Sequence, residues 1–328
     1  MTVPNALRER TAPIMRNALA PLCLAASLIT FFNLAPGELE PTNFKNVLAQ
    51  CSPLAIVAVG QMVVLVTRGF DISVGSVTAL SAVAGALAIR AFGAAGIVAA
   101  PLAGLACGLV NGGLIGRLGV QPVIATLGML SVARGLALLI SGDRAVILHD
   151  GNPLSGLGYD EVLGVPAAFV LALAFAALLA GFLRRAAAGR RVYMLGSNPA
   201  GAEMVGVSRR VTLAWAYGIA GLSAGVAATI LVGRAGGGLP TDGQGLELQA
   251  IAAAVIGGVS LAGGMGRPWL VLVGALFIES LNNGLTLAGY SQFLQEIILG
   301  AVILLAGLAD HLIRRAAASQ RLKEAIDA

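Results

Sequence analysis

The stretch Val47–Thr67, VLAQCSPLAIVAVGQMVVLVT, runs for 21 residues without a charged side chain. As an α-helix rising 1.5 Å per residue it extends about 30 Å, the thickness of a bilayer's hydrocarbon core. Helix is the conformation such a segment must take there, because hydrocarbon offers no partner to an unpaired N–H or C=O. Nine further stretches read the same way, near 17–35, 72–90, 95–115, 122–141, 163–183, 211–232, 247–264, 268–287 and 293–312. Two of them are irregular. The third of the ten opens in the polar run Gly69-Phe70-Asp71-Ile72-Ser73, and the eighth carries Glu247 and Gln249 near its start. The expectation is an all-α integral membrane protein of about ten transmembrane helices. It forms one domain over 1–328, with tails at 1–16 and 313–328 and a long polar loop at 184–210.

Composition excludes the alternatives. Apolar residues make up 57% of the 328 and charged residues 11%, with a mean hydropathy of +0.87. A soluble domain carries about 25% charged residues to cover its surface, so neither a water-soluble globule nor a disordered chain fits. The 44 glycines suit helices that approach closely in lipid.

Lys and Arg in the connections set the orientation. With the N-terminus in the cytoplasm, 16 of the 21 basic residues fall inside. The remaining five, Lys45, Arg90, Arg134, Arg144 and Arg234, lie outside or within helices. An even number of crossings returns the basic C-terminus to the same side, which gives N-in, C-in. The first apolar segment, preceded by Arg8, Arg10 and Arg16, also has the look of a signal peptide. Its length and the lack of an A-x-A site favour a retained helix.

Two connections stand out. The external 142–162 is polar and turn-rich, fit to meet something outside the membrane. The internal 184–210 carries six arginines, and within it Asn198 suits an N-cap, Pro199 a first helical position and Gly206 a terminator. A short helix over 198–206 is expected, lying either on lipid headgroups or against a partner.

Enzymatic chemistry finds no support. Only two lysines occur, Lys45 and Lys323, and neither follows a GxxxxG run, so the chain has no P-loop. Cys23, Cys51 and Cys107 lack metal-ligand spacing, and His149 and His311 accompany no catalytic motif. No basic patch is continuous enough for nucleic acid.

Six runs carry a family resemblance: Gln50-Cys51-Ser52-Pro53 with Gly60-Gln61-Met62; Thr67-Arg68-Gly69-Phe70-Asp71-Ile72-Ser73-Val74-Gly75-Ser76; Pro122–Met129 with Ala133-Arg134-Gly135; Gly189–Asn198; Ala250–Gly264; and Leu281–Leu285. Together they resemble the ribose-type sugar ABC transporter permeases, over about residues 43–310 and in the same order. The resemblance implies a type II-like permease subunit of a bacterial importer, multi-pass in the inner membrane, working on a pentose, hexose or related polyol. It further implies a second permease copy (identical or a close paralogue), an ATP-binding subunit inside that holds the ATP and Mg²⁺, and a periplasmic sugar-binding protein outside. No cofactor is expected on this chain. By the same resemblance Asn198, Pro199, Ala202, Glu203 and Gly206 belong to a helix that couples to the ATPase. A branched-chain amino-acid or nucleoside permease is the alternative within the class. An ion-coupled secondary transporter would need intramembrane carboxylates, of which only Glu279 is well placed.

Polar groups inside spans are costly unless paired or facing water. Gln61, Asp71, Ser73, Asn111, Gln121, Thr126, Asn282 and Asn283 are therefore candidates for the pathway or its gate. For Asn111, Asn282 and Asn283 the competing role is hydrogen bonding between helices, and for Asp71 with Arg68 a cap or ion pair. Arg134 and Glu279 are opposite charges at apolar depth and form a possible pair. Glu279, Arg68 and Met265 depart from the resembled pattern, which puts substrate details in doubt.

Overall fold

The structure is a computed structural model that describes residues 18–30, 40–148 and 152–308. The tails, His149 and His311, and parts of the first and last expected spans lie outside those residues. Thirteen helices run through it. The first five are α1 (Ala18–Thr30), α2 (Pro41–Val66), α3 (Val74–Phe92), α4 (Ala99–Gly116) and α5 (Pro122–Ser141). Then come α6 (Ser155–Tyr159), α7 (Ala167–Arg185), α8 (Ala187–Ser197), α9 (Pro199–Met204) and α10 (Arg209–Ala235). Last are α11 (Leu246–Ile256), α12 (Pro268–Leu287) and α13 (Gln292–Leu308).

Among the described residues six helical stretches are long and apolar enough to cross a membrane, with Val74–Gly116 counted as one. That stretch folds back on itself. A 3₁₀ turn over Gly93–Val98 separates α3 from α4, and Asn111 near the end of α4 hydrogen-bonds Ser73 at the start of α3. The two are an antiparallel hairpin. Two expected spans are met at both ends, 122–141 and 268–287, each opened by a proline at its first helical position, where the missing N–H costs nothing.

The eighth expected span, 247–264, is a correction. The helix there, α11, holds only 11 residues, about 16 Å of rise, and the chain then turns at Gly257–Gly258, where Gly258 has φ 77°. Gly257 packs against the backbone of Leu270, and Gly274 of α12 against Ala253 of α11. This irregular backbone is thus enclosed by protein, the condition under which it is tolerated at membrane depth.

The centre is α2 and α10, nearly enclosed by the other helices. Pro53 inside α2 cannot donate to the carbonyl four residues earlier, Ala49. Arg234 of α10 answers that orphan, its Nη1 donating to Ala49 O at 3.4 Å. On the other flank, α10 crosses α4 at backbone contact. Gly104, Gly108, Gly112 and Gly116 recur every fourth residue along one face of α4. A Cβ at Gly104 or Gly108 would run into the carbonyl oxygens of Gly221 and Tyr217. Small residues at this spacing let two helices touch without intervening side chains.

At one end of the bundle, β1 (Val146–Ile147) pairs antiparallel with β4 (Gly237–Gly238), and β2 (Glu161–Val162) with β3 (Val165–Pro166). The β2–β3 hairpin turns on Leu163 and Gly164 with φ 53° and 81°, the two positive values of a type I′ turn. Lys45 Nζ meets Glu161 at 2.7 Å, the one ion pair within 4.0 Å among the described residues. At the opposite end, the expected helix over 198–206 is α9 alone, and a second helix, α8, precedes it. Asn198 caps α9 by accepting from Gly201 N–H at 3.1 Å; Pro199 occupies its first position, and Gly206 ends the turn with φ 82°. The helix α8 was readable from Val192, Leu195 and Gly196, which are buried on one face while Arg190 and Arg191 point outward.

Candidate functional site

Three polar assemblies lie along α2. The first is a buried network at its 67–73 end. Asp71 Oδ1 accepts from Ser73 N–H at 2.9 Å and from Ser73 Oγ at 2.6 Å, an Asx turn that opens α3. Asn111 Nδ2 donates to Ser73 Oγ at 3.0 Å, and Gln61 Nε2 to Asp71 O at 2.9 Å. Four of the sequence-derived candidates are thus brought together. Burial pushes the Asp71 carboxyl up from its ordinary range, and the Ser73 and Asn111 hydrogen bonds pull it partly back. Gln61 Oε1 and Asn111 Oδ1 are buried without a partner. A buried acceptor left bare costs about 1–3 kcal/mol, so this network holds polar capacity that the described helices do not use.

Asp71 and Arg68 are not paired. Arg68 adopts φ 65° and reaches away, its Nε donating to Gly196 O at 2.7 Å and Nη2 to Ser197 O at 2.9 Å. These bonds tie the end of α2 to the end of α8. Gly264 N–H donates to Val66 O at 2.8 Å, and Tyr193 Oη to Gly266 O at 2.9 Å. Gly196 packs against the Val66 carbonyl so closely that no side chain fits there. The α8–α9 segment is therefore bolted to α2 and to the 257–267 turn.

The third assembly is a cavity of about 180 Å³ at the other end of α2, lined by Gln50, Arg234, Gln244, Gln249 and Glu279 with Pro53, Leu54, Leu231 and Leu246 among the remaining lining. It has room for about six waters, the size range of a single sugar ring. Its polar lining pairs one charge of each sign with three amides, which donate and accept. Tyr159 donates to Arg234 O at 2.8 Å, fastening the end of α6 to the end of α10. This site is drawn from four parts of the chain, and of its polar members only Glu279 was among the sequence candidates.

The possible Arg134–Glu279 pair does not form among the described residues. Arg134 Nη1 donates to Pro240 O at 2.6 Å and holds the 236–245 connection, while Glu279 shares the cavity with Arg234. Asp242 in that connection accepts from Leu239 N–H at 3.0 Å; burial raises its carboxyl, against that hydrogen bond and Arg134. Asn283 and Asn43 of α2 exchange two hydrogen bonds, Asn43 Nδ2 donating to Asn283 Oδ1 at 2.8 Å and Asn283 Nδ2 to Asn43 Oδ1 at 3.2 Å, so Asn283 fastens helices, as Asn111 does. Thr126 bonds its own helix at Pro122 O. Gln121 stands before α5 without a capping bond, and Asn282 is half-buried on α12. None of these three joins an assembly.

In α9 the side chains divide differently from expectation. Ala202 is buried, at 4% exposure, whereas Met204 and Val205 are 88% and 67% exposed. An apolar pair at the tip of a polar connection is the feature that sequence reasoning passed over.

Residues 43–307 match the family described as branched-chain amino acid transport system / permease component. The chain is 39% identical over 290 residues to the ribose import permease protein of Bacillus subtilis (strain 168), covering 85% of this chain and 87% of that one. It is 38% identical over 302 residues to the ribose import permease protein of Escherichia coli (strain K12), covering 90% and 93%. The D-allose transport system permease protein of the same organism is 32% identical over 304 residues, covering 89% and 90%. No solved structure matches.

Proposed function

The chain belongs to the branched-chain amino acid transport system / permease component family, and from that premise we propose that it is the membrane subunit through which an ATP-driven importer passes a simple sugar. Permeases for ribose and allose at 32–39% identity over most of the chain carry the reading. The cavity of Gln50, Arg234, Gln244, Gln249 and Glu279 supports it, because hydrogen-bonding groups of both senses match the hydroxyls of a sugar ring.

In this reading the chain runs N-in, C-in through the inner membrane, with the short α11 and the turn after it standing in for a full eighth helix, and two copies enclose the pathway. The α8–α9 segment faces the cytoplasm, where an ATP-binding subunit grips it and supplies ATP and Mg²⁺; this chain binds no cofactor. The Arg68 and Gly264 bonds would pass that grip to α2, and so to the Gln61–Asp71–Ser73–Asn111 network. At the other end Leu163, fully exposed, and the β2–β3 hairpin meet a periplasmic binding protein. ATP and loaded binding protein would bias the two ends oppositely, since a ligand moves an equilibrium only by its unequal affinity for the two states.

The coupling contact is tested at Met204. Met204→Cys is expected to crosslink to a cysteine in the ATPase, while Ala202→Cys, facing inward, is not. Met204→Glu is expected to reduce sugar-stimulated ATP hydrolysis about tenfold, because desolvating a carboxylate in an apolar contact costs more than the contact gains. A crosslink at neither site in the assembled complex would refute the coupling assignment. A second substrate reading has one observation in its favour: Arg234 and Glu279 also match the zwitterion of an amino acid. Competition decides between them. Excess pentose or hexose is expected to suppress uptake of a labelled sugar, and excess leucine to leave it unchanged.

A further inference from the structure

The geometry points to a phospholipid site on the flank of the α4–α10 pair, taking an anionic headgroup at the basic end and an acyl chain in the groove below. A cavity of about 1150 Å³ opens there, walled by Leu109, Trp215 and Leu222 with Gly113 at its floor, and Arg117 and Arg210 stand at one end. The glycine face that brings α4 and α10 together also leaves this flank shallow on the α4 side. A Cβ at Gly113 would find nothing within 4 Å.

Topology puts both guanidinium groups at one membrane surface. Arg117 follows the last residue of α4 and Arg210 is the second residue of α10, and the two ends touch where Gly116 packs against Arg210. Both side chains are exposed. Neither makes an ion pair among the described residues, and no carboxylate lines the groove. Trp215, half exposed, lies about 7.5 Å beyond Arg210 along α10 and rests on Phe182 with ring centres 5.7 Å apart. An indole at that depth, between an apolar trough and a cationic rim, is what the headgroup boundary selects. Basic pockets between transmembrane helices recognise lipid phosphates by the same complementarity. The site does not depend on the transport reading.

Purified protein in detergent, titrated with phosphatidylglycerol or phosphatidylcholine and read by native mass spectrometry, tests it. Wild-type protein is expected to prefer phosphatidylglycerol. The double variant R117Q/R210Q is expected to bind it about thirtyfold more weakly, from about 1 kcal/mol per cation, with phosphatidylcholine binding unchanged. Gly113→Leu, whose Cβ meets nothing within 4 Å and whose side chain projects into the trough, is expected to lose both lipids while keeping the wild-type melting curve. Soluble glycerol phosphate is expected not to compete, as the acyl chain carries part of the binding. Equal affinity of the wild type for the two lipids would overturn the proposal. So would wild-type binding by both variants, or competition by glycerol phosphate at concentrations matching the lipid. A Gly113→Cys disulfide between two copies in native membranes would show that a second chain covers the groove, and would overturn it as well.

Discussion

Gly108→Leu is expected to abolish the folded, monodisperse protein, whereas Gly113→Leu on the same helix leaves folding intact. The two positions differ in what stands opposite. At Gly108 any Cβ meets the Tyr217 carbonyl oxygen and the Gly221 backbone, and at Gly113 it meets open space. Overpacking between side chains costs about 1–3 kcal/mol because rotamers can adjust. Backbone cannot, so α4 and α10 would have to part along the whole row from Gly104 to Gly116. Fluorescence-detected size exclusion of both variants measures the contrast. Equal profiles would show that the close crossing is not what holds these helices.

Arg234→Met is expected to remove sugar uptake and much of the folded yield. Arg234 answers the Ala49 carbonyl freed by Pro53 and stands in the cavity with Glu279. Without it, Glu279 loses its opposite charge at apolar depth and must either stay ionised, at about 2.5–3.5 kcal/mol at the gentle end of membrane scales, or take up a proton. Glu279→Gln added to Arg234→Met removes that charge, so the double variant is expected to recover yield. Uptake is not expected to return, since both charged contacts of the cavity are gone. Yield is read by quantitative blot and uptake with labelled sugar in the assembled transporter. Recovery of uptake along with yield would make the two residues structural only.

The spans 122–141 and 268–287 were placed at both ends, where Pro122 and Pro268 stand at the first helical position; the same signal at Pro41 was missed, and α2 begins six residues before its expected start. The short α11 was not legible. Its apolar run continues through Val259 and Leu261 past the Gly257–Gly258 turn, and hydropathy does not separate a crossing helix from irregular backbone walled in by protein. The Gln61–Asp71–Ser73–Asn111 network was half legible: each residue was suspect by depth, but their meeting needed the α3–α4 hairpin. Arg134 and Glu279 were matched on sign of charge alone. The better signal was Pro53, which leaves Ala49 O in need of a donor that Arg234 supplies. The fourfold spacing of Gly104, Gly108, Gly112 and Gly116 was also on view in the sequence. The cavity was not, since its walls come from residues 50–54, 231–234, 244–249 and 279.

Proteoliposomes decide whether this chain is a duct driven by a partner. Labelled pentose or hexose should accumulate only when the chain, its ATP-binding subunit, the sugar-loaded binding protein and ATP are all present, and Met204→Glu should slow it about tenfold, in step with the loss of ATP hydrolysis. Accumulation by the chain alone, driven by an ion gradient, would contradict the assignment.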